Sequence, residues 1–290
     1  MPLSKTVAVQ WPVWSLGLLI LVFSAMYVPT YLSLANSTWV KDENGHGPLI
    51  LAMSVWLLWR DREAFFKLPD VSETAAGLSI MLIGSLCYVI GRSQSIDTVE
   101  VGSQILVLSA AVLLLKGWQG LRLVIFPVFF LVFMVPLPGV FAQIITLPLK
   151  AAVSYCAEAI LYAFHYPIGR SGVTLVIGQY HLLVADACAG LSSIFTLEAL
   201  GLFYMKMMNY KSAARNTVIA IMILPISFIS NTVRVIILVL VTYYLGDEMG
   251  QGFVHGMAGM VLFAVALTLT YLFDLAIAPF FKKQGVDDEK

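Results

Sequence analysis

The chain has 290 residues, of which 60% are apolar and 12% charged, and its 17 basic and 17 acidic side chains cancel to a formal net charge of zero. Average soluble domains carry about 25% charged residues, so this composition, with a mean hydropathy of +0.89, excludes an ordinary soluble globular protein. No Lys/Arg-rich run argues for a nucleic-acid partner, and three scattered cysteines without CxxC spacing (Cys87, Cys156 and Cys188) indicate neither a zinc site nor a disulfide framework.

Runs such as "WSLGLLILVFSAMYV" and "MVLFAVALTLTYLF" approach the length of about 20 residues that crosses a bilayer core. The expected fold class is an all-α polytopic membrane protein, a single integral membrane domain over residues 1–290. Eight spans are predicted, at 12–33, 47–59, 74–94, 99–116, 122–138, 188–207, 214–244 and 253–279. The first run is too long to be a removable signal peptide, and no small-residue cleavage site follows it. The second is the weakest, and part of "ENGHG" is expected to lengthen it. With both termini in the cytoplasm, Lys5, Arg60, Arg62, Lys67, Lys116, Arg122, Lys206, Lys211, Arg215, Lys282, Lys283 and Lys290 lie inside. Only Lys41, Arg92, Lys150 and Arg170 then lie outside, a clear positive-inside bias.

After the break "VPLPG" comes a helix at 141–164 carrying Gln143, Lys150, Ser154 and Glu158 as a polar stripe. A crossing here would put Lys206, Lys211 and Arg215 outside, so the helix is laid along the outer interface. The segment "VTLVIGQYHLLVA" predicts a small β-hairpin whose two-residue turn, Gly178-Gln179, has glycine first. Residues 141–187 thus form an outer-face insertion, and 281–290 a short cytoplasmic tail.

Arg234 lies inside the seventh span, where an ionisable group costs at least about 2.5–3.5 kcal/mol and marks function by default. Cys188 is 18 residues from Lys206, Arg234 is 19 from Arg215, and His255 is 19 from Asp274. At helical rise each distance is about 27–29 Å, so a thiol, a guanidinium and an imidazole can meet near the outer face. Asp186 as helix cap would put Cys188 in a first turn, where free N–H groups favour a thiolate and offer an oxyanion site. His255 can move the thiol proton to a leaving amine, and Arg234 can hold the oxyanion or the substrate carbonyl. Asn231, Gly190 and Gly256 are supporting candidates, and His165 and His181 are alternative bases. His46 is a candidate to line the site, and Glu198 is a candidate structural partner for Arg234, or for Ser227 and Asn231. Cys87 and Cys156 suit packing. On the residues alone, a transporter or channel with Arg234 in its substrate path, or an acyl- or glycosyl-transfer enzyme, also stays open.

"ACAGL" around Cys188, "SNTVRV" around Arg234 and "HGMAG" around His255, in that order, resemble the exosortase/archaeosortase family. "HGPLILAMSVWLLWR" and "FPVFFLVFMVPLP" are similar to its upstream features, so the likeness spans nearly the whole chain. Ala189 stands where the family commonly has serine. The resemblance implies a cysteine transpeptidase of the bacterial inner membrane, with Cys188, Arg234 and His255 as catalytic residues on the periplasmic side. It implies exported proteins with a C-terminal sorting tail of Pro-Glu-Pro type as partners, a thioacyl enzyme, and a link to exopolysaccharide production. A lipid or other acceptor nucleophile, or water, would resolve that intermediate, and neither metal nor organic cofactor is implied.

Overall fold

A computed structural model describes residues 7–8, 13–39, 46–136, 139–183, 190–208, 212–256 and 258–282. The chain divides into two compact units, 1–138 and 139–290, and the boundary falls in the proline-bounded "VPLPG".

The first unit contains β1 (Val7–Ala8), α1 (Val13–Asn36), α2 (Gly47–Arg60), α3 (Arg62–Lys67), β2 (Val71–Ser72), α4 (Thr74–Ser93) and α5 (Asp97–Phe130). A 3-10 turn, Leu131–Met134, follows α5. A straight helix over 97–136 would hold its ends about 60 Å apart, yet the Thr98 hydroxyl donates to the Pro136 carbonyl at 2.6 Å. The chain therefore reverses within α5. It does so at Gly117, whose φ of 59° and ψ of −156° are open essentially to glycine alone. The two arms, 97–116 and 118–130, correspond to the expected spans 99–116 and 122–138, with one residue in place of a loop. A Cβ at Gly117 would also meet the Val71 carbonyl oxygen at 2.8 Å. Gly117→Ala is expected to cost about 1–3 kcal/mol, read as a lowered Tm of the detergent-purified protein. An unchanged Tm would show that the reversal tolerates a side chain.

Gly77, Gly84 and Gly91 recur every seven residues on α4 and seat Leu114, Leu106 and Glu100 of α5 closely. Buried polar groups bind α1 to the same arm: Tyr27 meets Ser103 at 2.7 Å and Tyr31 donates to Gln104 at 2.5 Å. Thr30 donates to Glu100, which also pairs with Arg92 at 3.1 Å. At the opposite end Lys116 binds Asp70 and the Leu68 carbonyl, both at 2.6 Å. This end also holds the β1–β2 pair, Arg60, Arg62 and Lys67.

Helix α2 begins at Gly47 with proline in its first turn, His46 before it is a turn residue, and 43–45 of the expected extension lie outside the described residues. Its 14 residues reach about 21 Å. Five segments among the described residues are long and apolar enough to cross a membrane: Gly17–Asn36, Thr74–Ser93, Asp97–Met134, Ala214–Leu245 and Ala264–Phe281. The protein is therefore predominantly helical and membrane-embedded. The expected count of eight is not reproduced, although the third segment comprises the two arms that meet at Gly117.

The second unit opens with α6 (Gly139–Ala163) and a three-stranded antiparallel sheet, β3 (Ile168–Ser171), β4 (Thr174–Ile177) and β5 (Tyr180–Leu183). The expected hairpin is β4–β5, with Gly178 at φ 57° opening its turn. A second turn of the same chemistry, Gly172-Val173 with Gly172 at φ 65°, adds the unexpected strand β3. Then come α7 (Gly190–Met208), α8 (Ala213–Leu245), α9 (Asp247–Gly256) and α10 (Ala258–Lys282). The last predicted span, 253–279, is thus divided between α9 and α10. The helix runs two residues into the expected tail, and 283–290 lie outside the described residues.

Val153, Ala157 and Leu161 of α6, Leu175 and Ile177 of β4, and Val235 and Val239 of α8 form one buried cluster. Of the polar stripe of α6, Ser154 is fully buried and returns its hydroxyl to the Lys150 carbonyl at 2.8 Å, while Lys150 and Glu158 are half-buried and Glu158 pairs with Arg170. Ile144, Leu147, Tyr155 and Tyr162 are exposed.

Candidate active site

The site is built on α8. Ser212 caps the helix by accepting from the Arg215 N–H at 3.2 Å, and the run "VIAIMILPISFISNTVRVIILVLV" carries it on through Pro225. Arg234 lies eleven residues before its C-terminal end and is 6% exposed. Neighbouring hydroxyls are satisfied within the helix: Ser227, Ser230 and Thr232 donate to the Ile223, Ile226 and Phe228 carbonyls at 2.8–2.9 Å. Asn231 is on the same face as Arg234, three residues earlier, and is equally buried. Among the described residues its Oδ1 has no hydrogen-bond partner, so it offers an acceptor one turn from the guanidinium.

Two contacts fix how the following helices run back along α8. At one end Arg215 binds Asp274 of α10 through Nε at 3.0 Å and Nη2 at 2.7 Å. The Tyr204 hydroxyl of α7 donates to the other carboxylate oxygen at 2.9 Å. At the other end Gly246, with φ 90°, reverses the chain, and Gly250 of α9 is seated against Thr242. From the first anchor, Arg234 and His255 are each 19 residues away. From the second they are eight and five residues away. The second count, within the described helices, brings the backbone of His255 to the depth of Arg234 within about one helical turn. On the remaining side Gly201 of α7 is seated against Ile223 of α8. Counting back antiparallel from that contact, Gly190 at the start of α7 is level with Arg234.

The expected residues fall as follows. Arg234 and Asn231 are buried together on α8; Gly190 opens α7, and His255 and Gly256 close α9. Cys188 and Asp186 lie outside the described residues, as does the His255 side chain. Cys188 precedes Gly190 by two residues, which keeps their Cα atoms within about 7 Å. Among the described residues, no hydrogen bond joins Glu198 to Ser227 or Asn231, and Glu198 Oε1 is buried without a partner. That expected pairing is not made. His165 and His181 are exposed, in the turn after α6 and on β5. In the first unit His46 places Nε2 3.0 Å from the Phe133 carbonyl oxygen, and burial pushes its imidazole pKa down. Cys87 and Cys156 are half-buried free thiols, and no group of His, Cys, Asp and Glu among the described residues is arranged to hold a metal ion.

Sequence reasoning missed the Arg215–Asp274–Tyr204 knot. Arg215 and Asp274 served as boundary markers, whereas both are buried and bonded to one another. A carboxylate inside a predicted span, at Asp274, is itself a signal for a partner.

A model of a family described as transmembrane exosortase matches residues 38–272, which include every candidate site residue. Searches among curated proteins and among solved structures return no match. The match covers well over half the chain and agrees with the helical membrane architecture. The chain belongs to the transmembrane exosortase family, a family of membrane peptidases and transpeptidases that sort proteins.

Proposed function

We propose that the chain is a cysteine transpeptidase of the bacterial inner membrane that cleaves C-terminal sorting tails from exported proteins at the outer face. The observation that carries this reading is the buried Arg234, on a helix whose contact with Gly250 brings the His255 backbone to its depth. Support also comes from the start of α7 at Gly190, two residues beyond Cys188, where first-turn N–H groups favour a thiolate.

In this mechanism the Cys188 thiolate attacks the scissile carbonyl carbon. The resulting oxyanion is held by Arg234 and by N–H groups of the first turn. Collapse breaks the C–N bond, leaves a thioester on Cys188, and releases the tail as an amine that takes a proton from His255. An acceptor nucleophile, or water, then gives its proton to His255, attacks the thioester and restores the thiol. Cytoplasmic termini would put these groups on the periplasmic side.

The test is C-terminal processing of a co-expressed reporter bearing a Pro-Glu-Pro-type sorting tail. Wild type is expected to shorten it, and Arg234→Gln to slow processing by about 10²-fold or more at matched membrane levels. Arg234→Lys should recover part of the rate, since it keeps the charge without the planar fork. An intact tail with wild type across several reporters would overturn the reading and favour transport.

A further inference from the structure

The three strands have two edges, and the structure treats them differently. Strand β3 lies against α6, and its Arg170 is engaged by Glu158 of that helix at 3.0 Å. Among the described residues strand β5 has no such cover. Its pairing with β4 sets Tyr180 opposite Ile177 and Leu182 opposite Leu175. In a two-residue hairpin these are the hydrogen-bonded pairs, so the N–H and C=O groups of His181 and Leu183 point away from β4. Those groups make no other backbone hydrogen bond among the described residues. Both side chains are exposed, with Leu183 at 42%, whereas Tyr180 and Leu182 pack on the core. The edge carries none of the lysines or prolines with which sheets ordinarily blunt an open strand.

Its position gives the edge a use. The core under β4 and β5 includes Val235, Ile236 and Val239 of α8, a stretch that starts one residue after Arg234. In sequence β5 runs toward Cys188, five residues beyond Leu183. We infer that β5 is a docking strand: the substrate segment beside the scissile bond adds to it in extended form, bonded through the outward groups of His181 and Leu183. This rests on the transpeptidase reading and specifies how that site holds its substrate. An extended segment bonds to an edge through every second residue only, so recognition has a period of two along the substrate backbone.

The experiment uses purified full-length Cys188→Ala protein and a fluorescent synthetic peptide copying the reporter's motif with a short upstream segment. Each peptide amide is N-methylated in turn. Alternate positions are expected to weaken binding about tenfold, with the positions between unaffected. Leu183→Pro, which removes one outward N–H, is expected to weaken binding similarly, while Leu183→Ala, which keeps it, is not. Sensitivity without a two-residue period overturns the inference. So does absence of binding, including the case in which a second copy of the chain occupies the edge. Reporter processing by wild type is measured in parallel. Processing without the alternating pattern overturns strand docking and leaves the transpeptidase reading standing. The alternating pattern without processing supports the docking strand and overturns that reading.

Discussion

Cys188→Ala and Cys188→Ser are each expected to abolish reporter processing, with a loss of at least about 10³-fold at matched membrane levels. A thiolate is reachable at neutral pH at a helix start beside cations, whereas a serine hydroxyl there is a far weaker nucleophile without a strong adjacent base. Either replacement removes very little volume, so the membrane level and Tm should stay near wild type. A loss of processing with unchanged Tm therefore reports on the reaction. Mass spectrometry of the wild-type enzyme mixed with substrate and quenched in acid should show a thioester adduct at Cys188, absent from both variants. If either variant processes the tail at the wild-type rate, Cys188 packs like Cys87 and Cys156, and the nucleophile is elsewhere.

The second large effect concerns folding. Asp274→Ala is expected to destabilise the protein by about 3–5 kcal/mol, because it leaves the Arg215 guanidinium buried without its carboxylate. The pair ties α8 to α10, and the Tyr204 hydroxyl adds α7 to the same carboxylate. Asp274→Asn keeps the shape and one acceptor and should cost less. Replacing both partners together, as Arg215→Met with Asp274→Leu, should recover much of the loss, since no buried charge is then left alone. Arg234 lies 19 residues along α8 from this knot, about 28 Å. Activity per folded molecule should therefore change little while the folded fraction falls. Tm in detergent and specific activity of the folded fraction, measured on all three variants, separate the two. If Asp274→Ala leaves Tm unchanged, the knot does not hold these helices together.

Several features were legible in the residues because they depend on local chemistry. Apolar runs of sufficient length require helices in a membrane, since only there are backbone groups satisfied within the segment. The α6 helix, the Gly178 turn and the isolation of Arg234 in an apolar stretch follow from the same kind of local pattern. The seven-residue spacing of Gly77, Gly84 and Gly91 was also visible, but it names no partner until α5 is placed against it. The turn at Gly172 has the chemistry of the one at Gly178, but "IGRS" before it lacks the alternation that marks a strand.

By itself the sequence determined the membrane class, the approximate course of the helices and three separated polar candidates, because hydropathy and turn chemistry are averages over a few neighbouring residues. Only the tertiary structure decided that α5 folds back at Gly117, that Ser154 of α6 is buried, and that β5 is the open edge among the described residues. It also decided the helix register, through Arg215 with Asp274 and Thr242 with Gly250, and through the latter contact the common depth of Arg234 and the His255 backbone. The reason is range: Arg215 and Asp274 are 59 residues apart in the chain. Which groups meet across such a distance is set by how whole helix faces pack, a property no short window of residues contains.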